Sequence, residues 1–153
     1  MDKVDDINSI PAVDTSKYTK NPTEFKFPIG TEALDIYTVL YNKFGDNEVA
    51  VNGTYKTSYT YKFDDEAPVT VPKTYNIVKI KLYRKHNEAS NEFHVYMVTD
   101  SYYVERVKDS NGNYIYKKTD KLITFDYCYQ WQLHNTNVWN NNKCNGEIII
   151  KNQ

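Results

Sequence analysis

Arginine is nearly absent from this chain: of 19 basic residues only Arg84 and Arg106 are arginines, and the rest are lysines. Arginine is the usual bidentate reader of phosphates and base edges, so its scarcity counts against nucleic-acid recognition. Excess charge of either sign is also missing. A formal net charge of −1 over 153 residues gives no long-range field to steer the chain toward DNA, RNA or an anionic membrane. No run of 18 or more apolar residues occurs, so no membrane span is expected, and residues 1–23 carry no apolar core of a signal peptide. The nucleotide-binding and hydrolase motifs GxGxxG, GxxxxGK[ST], HExxH and GxSxG do not occur.

There are two cysteines, Cys128 and Cys144. They could stand as free thiols in a reducing compartment, or close one bridge over a loop of roughly 15 residues that would add roughly 3 kcal/mol. With His134 they make three metal donors, but at a spacing that fits no common zinc pattern. Asp109, Asn111 and Asn113 alternate like the start of a calcium loop. Gly112 falls at the fourth position instead of the sixth and no Glu stands at the twelfth, so a hairpin turn explains them better. His86, His94 and His134 have no nucleophile or carboxylate at a family spacing and read as surface residues. The Asp64-Asp65-Glu66 cluster reads as a solvated turn. No catalytic residue, metal or cofactor is expected, and the chain is not read as an enzyme.

What is abundant is tyrosine, with 15 copies, and asparagine, with 17. Lysine, asparagine and tyrosine together are what AT-rich codons produce, which points to an AT-rich bacterium or its phage. Residues 1–23 are polar, interrupted by Pro11 and Pro22 and without apolar period, and are expected to be an extended arm that orders on a partner. After a short strand at 24–29, Ala33, Ile36, Tyr37, Leu40 and Phe44 form one apolar stripe, predicting a helix over Glu32–Phe44 capped by Thr31 and ended by Gly45.

From residue 49 onward the period is two, predicting antiparallel strands. Asn52-Gly53 reads as a two-residue hairpin turn. Val78, Ile80 and Leu82 are expected on one face of a strand spanning 69–85. Lys73, Tyr75, Lys79, Lys81, Tyr83 and Lys85 are expected on the other, an arrangement that could track a phosphate backbone. Glu147–Lys151 is expected to close the sheet.

The expected fold is α+β, mainly antiparallel β, with one helix on a curved sheet or partial barrel and a β-sandwich as the alternative. In the order of its elements it resembles the cystatin-like and nuclear-transport-factor-type cones, which implies a helix cradled by a curved sheet.

The expected function is assembly: a virion or phage component such as a capsid-decorating, connector or tail-ring subunit, in the virion or in the host cytoplasm during assembly. Tyrosine is enriched at interfaces, and 15 copies spread over nearly every strand cannot all be core. The contact residues expected are Pro11, Tyr18 and Pro22 in the arm, with Trp139, Asn140, Asn141 and Asn142 in the late loop. The partners expected are protein subunits, with a homo-oligomer favoured and no membrane. The alternative is a cell-surface or secreted glycan-binding module, with Trp131 and Trp139 as stacking platforms and Asn135 and Asn137 pairing with hydroxyls.

Overall fold

A computed structural model of the chain describes residues 12–21, 23–86, 90–132 and 142–152. Pro11, Pro22, Asn135, Asn137, Trp139, Asn140 and Asn141 lie outside the described residues, as do the side chains of His86 and Trp131.

The α+β expectation holds. One helix, α1 (Ala33–Phe44), packs on one sheet of seven strands. The strands are β1 (Thr19–Asn21), β2 (Glu24–Phe27), β3 (Glu48–Tyr61), β4 (Val69–His86), β5 (Ser90–Lys108), β6 (Tyr114–Gln132) and β7 (Glu147–Asn152). Their order across the sheet is β1-β2-β7-β3-β4-β5-β6, every neighbouring pair antiparallel. A single sheet excludes the sandwich alternative. Strand β7 does not close an edge. It inserts between β2 and β3, and Ile148 and Ile150 are fully buried there.

The helix buries more than its predicted stripe: Leu34, Thr38 and Val39 are covered as well as Ala33, Ile36, Tyr37 and Leu40. The chain's own N-terminal part also reaches the helix. Tyr18 is 4% exposed, its ring lies 5.3 Å from that of Phe27, and its hydroxyl donates to Asp35 Oδ2 at 2.9 Å. Strand β1 pairs with β2, and Lys26 N–H donates to the Tyr18 carbonyl. Within the segment expected to be an extended arm, Tyr18 is thus packed in the chain's own core.

The helix start also differs from the expectation. Glu32 is the N-cap and makes no side-chain cap, while the Thr31 hydroxyl turns back to Pro28 O. Asn142 enters here, since its carbonyl accepts from Ala33 N–H in the first turn. Its backbone fills an orphan helix donor, a role distinct from the side-chain contact expected of it. Gly45 ends the helix as expected, at φ +69 with its N–H on Tyr41 O.

Asn52-Gly53 is not a turn, because β3 runs straight through it with a register shift between Ala50 and Gly53. The glycine is required by close approach: a Cβ there would lie 2.9 Å from Ile149 O and 3.1 Å from Ile77 Cβ. A second irregularity at Val78 moves the apolar set of β4 to Ile77, Ile80 and Leu82 and leaves Val78 exposed. Period two is broken once, so everything before the bulge changes face relative to everything after it.

Leu40 is fully buried at the centre of the helix–sheet contact. Leu40→Ala is expected to cost about 2–5 kcal/mol, read as a lower urea midpoint. Gly146→Ala is expected to destabilise by about 1–3 kcal/mol, because its new Cβ would collide with the Lys56 backbone and the Tyr55 ring.

Candidate functional site

Two features stand out from an ordinary sheet surface. The first is a fork. The β4–β5 ladder ends at Ile77↔Thr99, and the β3–β7 ladder ends at Lys56↔Glu147. Beyond those points β3 and β4 pair only with each other over Thr57–Tyr61 and Val69–Lys73. Likewise β5 and β6 continue together as far as Lys108↔Tyr114. Two hairpins thus leave the body, with Asn76 Nδ2 donating to Asp100 Oδ2 at 3.2 Å where they part. An open cleft of about 540 Å³, lined by Lys56, Asn76, Val78 and Asp100 among others, lies at this junction.

The hairpins carry ten of the twelve exposed large apolar side chains found among the described residues, all but Ile29 and Val78. Tyr59, Tyr61, Phe63 and Val69 lie on the first. Tyr102, Tyr103, Val104, Tyr114, Ile115 and Tyr116 lie on the second, with Tyr116 at 73% exposure. The rings are braced locally. Tyr61 meets Phe63 edge-on at 5.2 Å, Arg106 lies 3.7 Å above the Tyr114 ring, and Lys118 lies 4.3 Å above Tyr102. The second tip is the turn expected from the sequence, with Asp109 Oδ1 accepting from Asn111 and Asn113 N–H and Gly112 at φ +80.

The second feature is a polar row on the sheet face opposite the core, with His94 buried at its centre. Tyr83 in β4, His94 in β5 and Cys128 in β6 stand directly opposite one another in register. The Tyr83 ring stacks on the His94 imidazole at 4.5 Å and 6°. That cover leaves His94 only 6% exposed, although it is on the outer face. Asp126 and Glu92 bracket the imidazole. Nδ1 lies 2.9 Å from Asp126 Oδ1, while Nε2 lies 3.3 Å from Glu92 Oε2 and 3.6 Å from Cys128 Sγ. The Tyr83 hydroxyl donates to Asp126 Oδ2 at 2.8 Å.

An Asp–His–Cys alignment invites comparison with a thiol nucleophile, but the electrostatics oppose it. Burial first, then the Glu92 and Asp126 carboxylates, push the Cys128 thiol up from 9.0 to about 12, against a smaller opposing pull from Lys85. Nucleophilic cysteines need the reverse, a thiol whose pKa is lowered by cationic surroundings.

The expected site residues scatter. Tyr18 is core, and the two cysteines are unbridged: Cys144 is buried with its thiol donating to Pro28 O at 3.3 Å, while Cys128 sits in the outer row. The lysine–tyrosine stripe of β4 is split by the Val78 bulge. Tyr75 packs on the core side against Phe125 at 5.1 Å, and Tyr83 faces outward beside His94. That removes the continuous face a nucleic-acid strand would follow.

His94 was expected to be a plain surface residue. The signals for the row were the i, i+2 pairs Glu92/His94 and Asp126/Cys128, each on one strand face, but only the β5–β6 register unites them. No known protein family, curated protein or solved structure matches this chain.

Alkaline behaviour is set by six buried or half-buried tyrosines: burial pushes Tyr75, Tyr127 and Tyr129 up, and three more likewise. Burial pushes Tyr18, Tyr37 and Tyr83 up from 10.0 to about 12, helped for Tyr18 and Tyr83 by their hydrogen bonds to Asp35 and Asp126. The unfolded chain ionises these phenols near 10, while the folded chain keeps them neutral to about 12. Their stabilisation is therefore complete below pH 10 and lost as pH rises to about 12. Thermal melts taken from pH 8 upward should show Tm falling beyond pH 10, and Tyr37→Phe should make that fall shallower relative to its own neutral-pH value.

Proposed function

We propose that the chain is a non-enzymatic assembly subunit that joins copies of itself through its two projecting hairpins. The observation that carries this reading is the fork. A two-stranded hairpin with no third strand or helix behind it is marginal in water, yet here two of them display ten large apolar side chains. Clustered exposed apolar surface of that kind marks sites of protein contact. Past the fork each hairpin also presents unpaired backbone edges, the template for strand addition by a neighbouring chain.

A net charge of −1 adds no strong self-repulsion to oppose association of like copies. The arginine and lysine groups above Tyr114 and Tyr102 hold those rings flat against the hairpin, as preformed contact surface. Within this reading the fine setting is a virion of an AT-rich bacterium's phage, supported by the lysine-, asparagine- and tyrosine-rich composition. The contact residues move from the arm and late loop to Tyr59, Tyr61 and Phe63 on one hairpin and Tyr114, Ile115 and Tyr116 on the other.

Light scattering behind gel filtration tests the reading. The wild type is expected to elute at a multiple of 18.0 kDa. Tyr61→Ser with Tyr116→Ser should bring it to the single-chain mass. Because both side chains are exposed, the pair should change stability by no more than about 0.5 kcal/mol per site. A wild type that stays at single-chain mass up to its solubility limit overturns self-assembly.

A further inference from the structure

The row on the outer face has a feature that assembly does not use. Both imidazole nitrogens of His94 face carboxylates: Nδ1 faces Asp126 at 2.9 Å and Nε2 faces Glu92 at 3.3 Å. A neutral imidazole has one N–H and one lone pair. With Nδ1–H donating to Asp126, the Nε2 lone pair points at a carboxylate oxygen and at the Cys128 sulfur. A lone pair, a carboxylate and a sulfur converge there, all three donor atoms lying within 4.8 Å of one another. Such convergence is stable when a cation lies between them.

The spacing fits zinc. Zinc holds sulfur at about 2.3 Å and imidazole nitrogen or carboxylate oxygen at about 2.0–2.1 Å, so tetrahedral angles set S···N at about 3.6 Å and N···O at about 3.3 Å. The observed separations are 3.6 Å from Cys128 Sγ to Nε2 and 3.3 Å from Glu92 Oε2 to Nε2. A carboxylate on the far imidazole nitrogen, here Asp126, is the usual outer partner of a zinc-bound histidine, fixing its tautomer and raising its basicity. Asp126 is itself held by the Tyr83 hydroxyl, and the Tyr83 ring fixes the imidazole plane by stacking. One sulfur, one nitrogen and one oxygen ligand suit a borderline-soft divalent ion and not calcium or magnesium, which take oxygen.

We propose that Glu92, His94 and Cys128 form a zinc site on the outer face of the sheet, with Asp126 as the positioning residue for His94 and a fourth coordination position left open. On binding, the Cys128 S–H proton goes to solvent and an S–Zn bond forms, while Nε2 and one Glu92 oxygen donate lone pairs, so no redox partner is needed. The ion ties adjacent residues of β5 to β6 at the end of the sheet away from the fork.

Full-length protein stripped with a chelator and titrated with cobalt tests this, cobalt standing in for zinc with visible spectra. One cobalt per chain with a thiolate-to-cobalt charge-transfer band, displaced by zinc, is expected. Cys128→Ser should abolish the band and Cys144→Ser should keep it. Asp126→Asn should keep the band but weaken affinity about 10–100-fold. Circular dichroism checks that each variant is folded. Should Cys128→Ser unfold, Glu92→Gln, which keeps the side chain's size, is expected to weaken cobalt binding. The rival arrangement is a doubly paired imidazolium. Absence of any cobalt band in folded wild type, with both His94 nitrogens protonated by nitrogen NMR, overturns the proposal, as does a band that survives Cys128→Ser.

Discussion

A mismatch of lengths underlies this structure. Helix α1 has 12 residues and spans about 18 Å at 1.5 Å per residue. Strands β5 and β6 have 19 residues each and span about 60 Å at 3.2–3.4 Å per residue. One helix lying on such strands can bury only part of one face. Where it lies, Phe93, Val95, Met97 and Leu82 are excluded from water. Beyond it, a secondary cluster of Tyr55, Tyr75, Phe125 and Tyr127 extends the core a short way. Past that no third strand among the described residues continues the pairing, and the sheet divides into two ribbons. The fork follows directly from a hydrophobic core that runs out before the strands do.

The N-terminal part and β7 work at the other margin. Strand β7 supplies Ile148 and Ile150 to the middle of the short half of the sheet, and β2 adds Phe25 and Phe27 beside it. Tyr18 then covers the helix flank that the sheet does not reach, with its hydroxyl led out to Asp35. The backbone of 142–144 straps the helix start through Asn142, Lys143 and Cys144. These contacts concentrate stability in the body and leave the hairpins as its appendages. A chain whose stability resides in one part can present apolar rings in another without unfolding.

The two faces of the sheet have separate tasks because of two local departures from regular pairing. Gly53 lets β3 approach β7 and β4 closely, and the bulge at Val78 resets which residues of β4 face inward. After the bulge, Tyr83 falls on the outer face, directly opposite His94. One residue fewer in that strand would have put Tyr83 inside and left the imidazole open to water. The polar row around His94 therefore depends on a backbone irregularity that no side-chain pattern announces.

From the sequence alone the class of fold, the helix and its Gly45 stop, the Asp109–Asn113 turn, and the surplus of tyrosine beyond any core were legible, because each is written in local period, cap or composition. The strand boundaries were less so. Asn52-Gly53 carries a turn signal, but its glycine answers to a close approach by Ile149 and Ile77, residues distant in the chain. Tyr18 reads as a polar arm residue and is core, because only the folded sheet shows which surface lacks cover. The meeting of Glu92, His94, Asp126 and Cys128, with more than 30 residues between the two pairs, was decided by tertiary structure. Register between strands is set by burial of the opposite face and by bulges, and neither leaves a mark on the residues that it brings together.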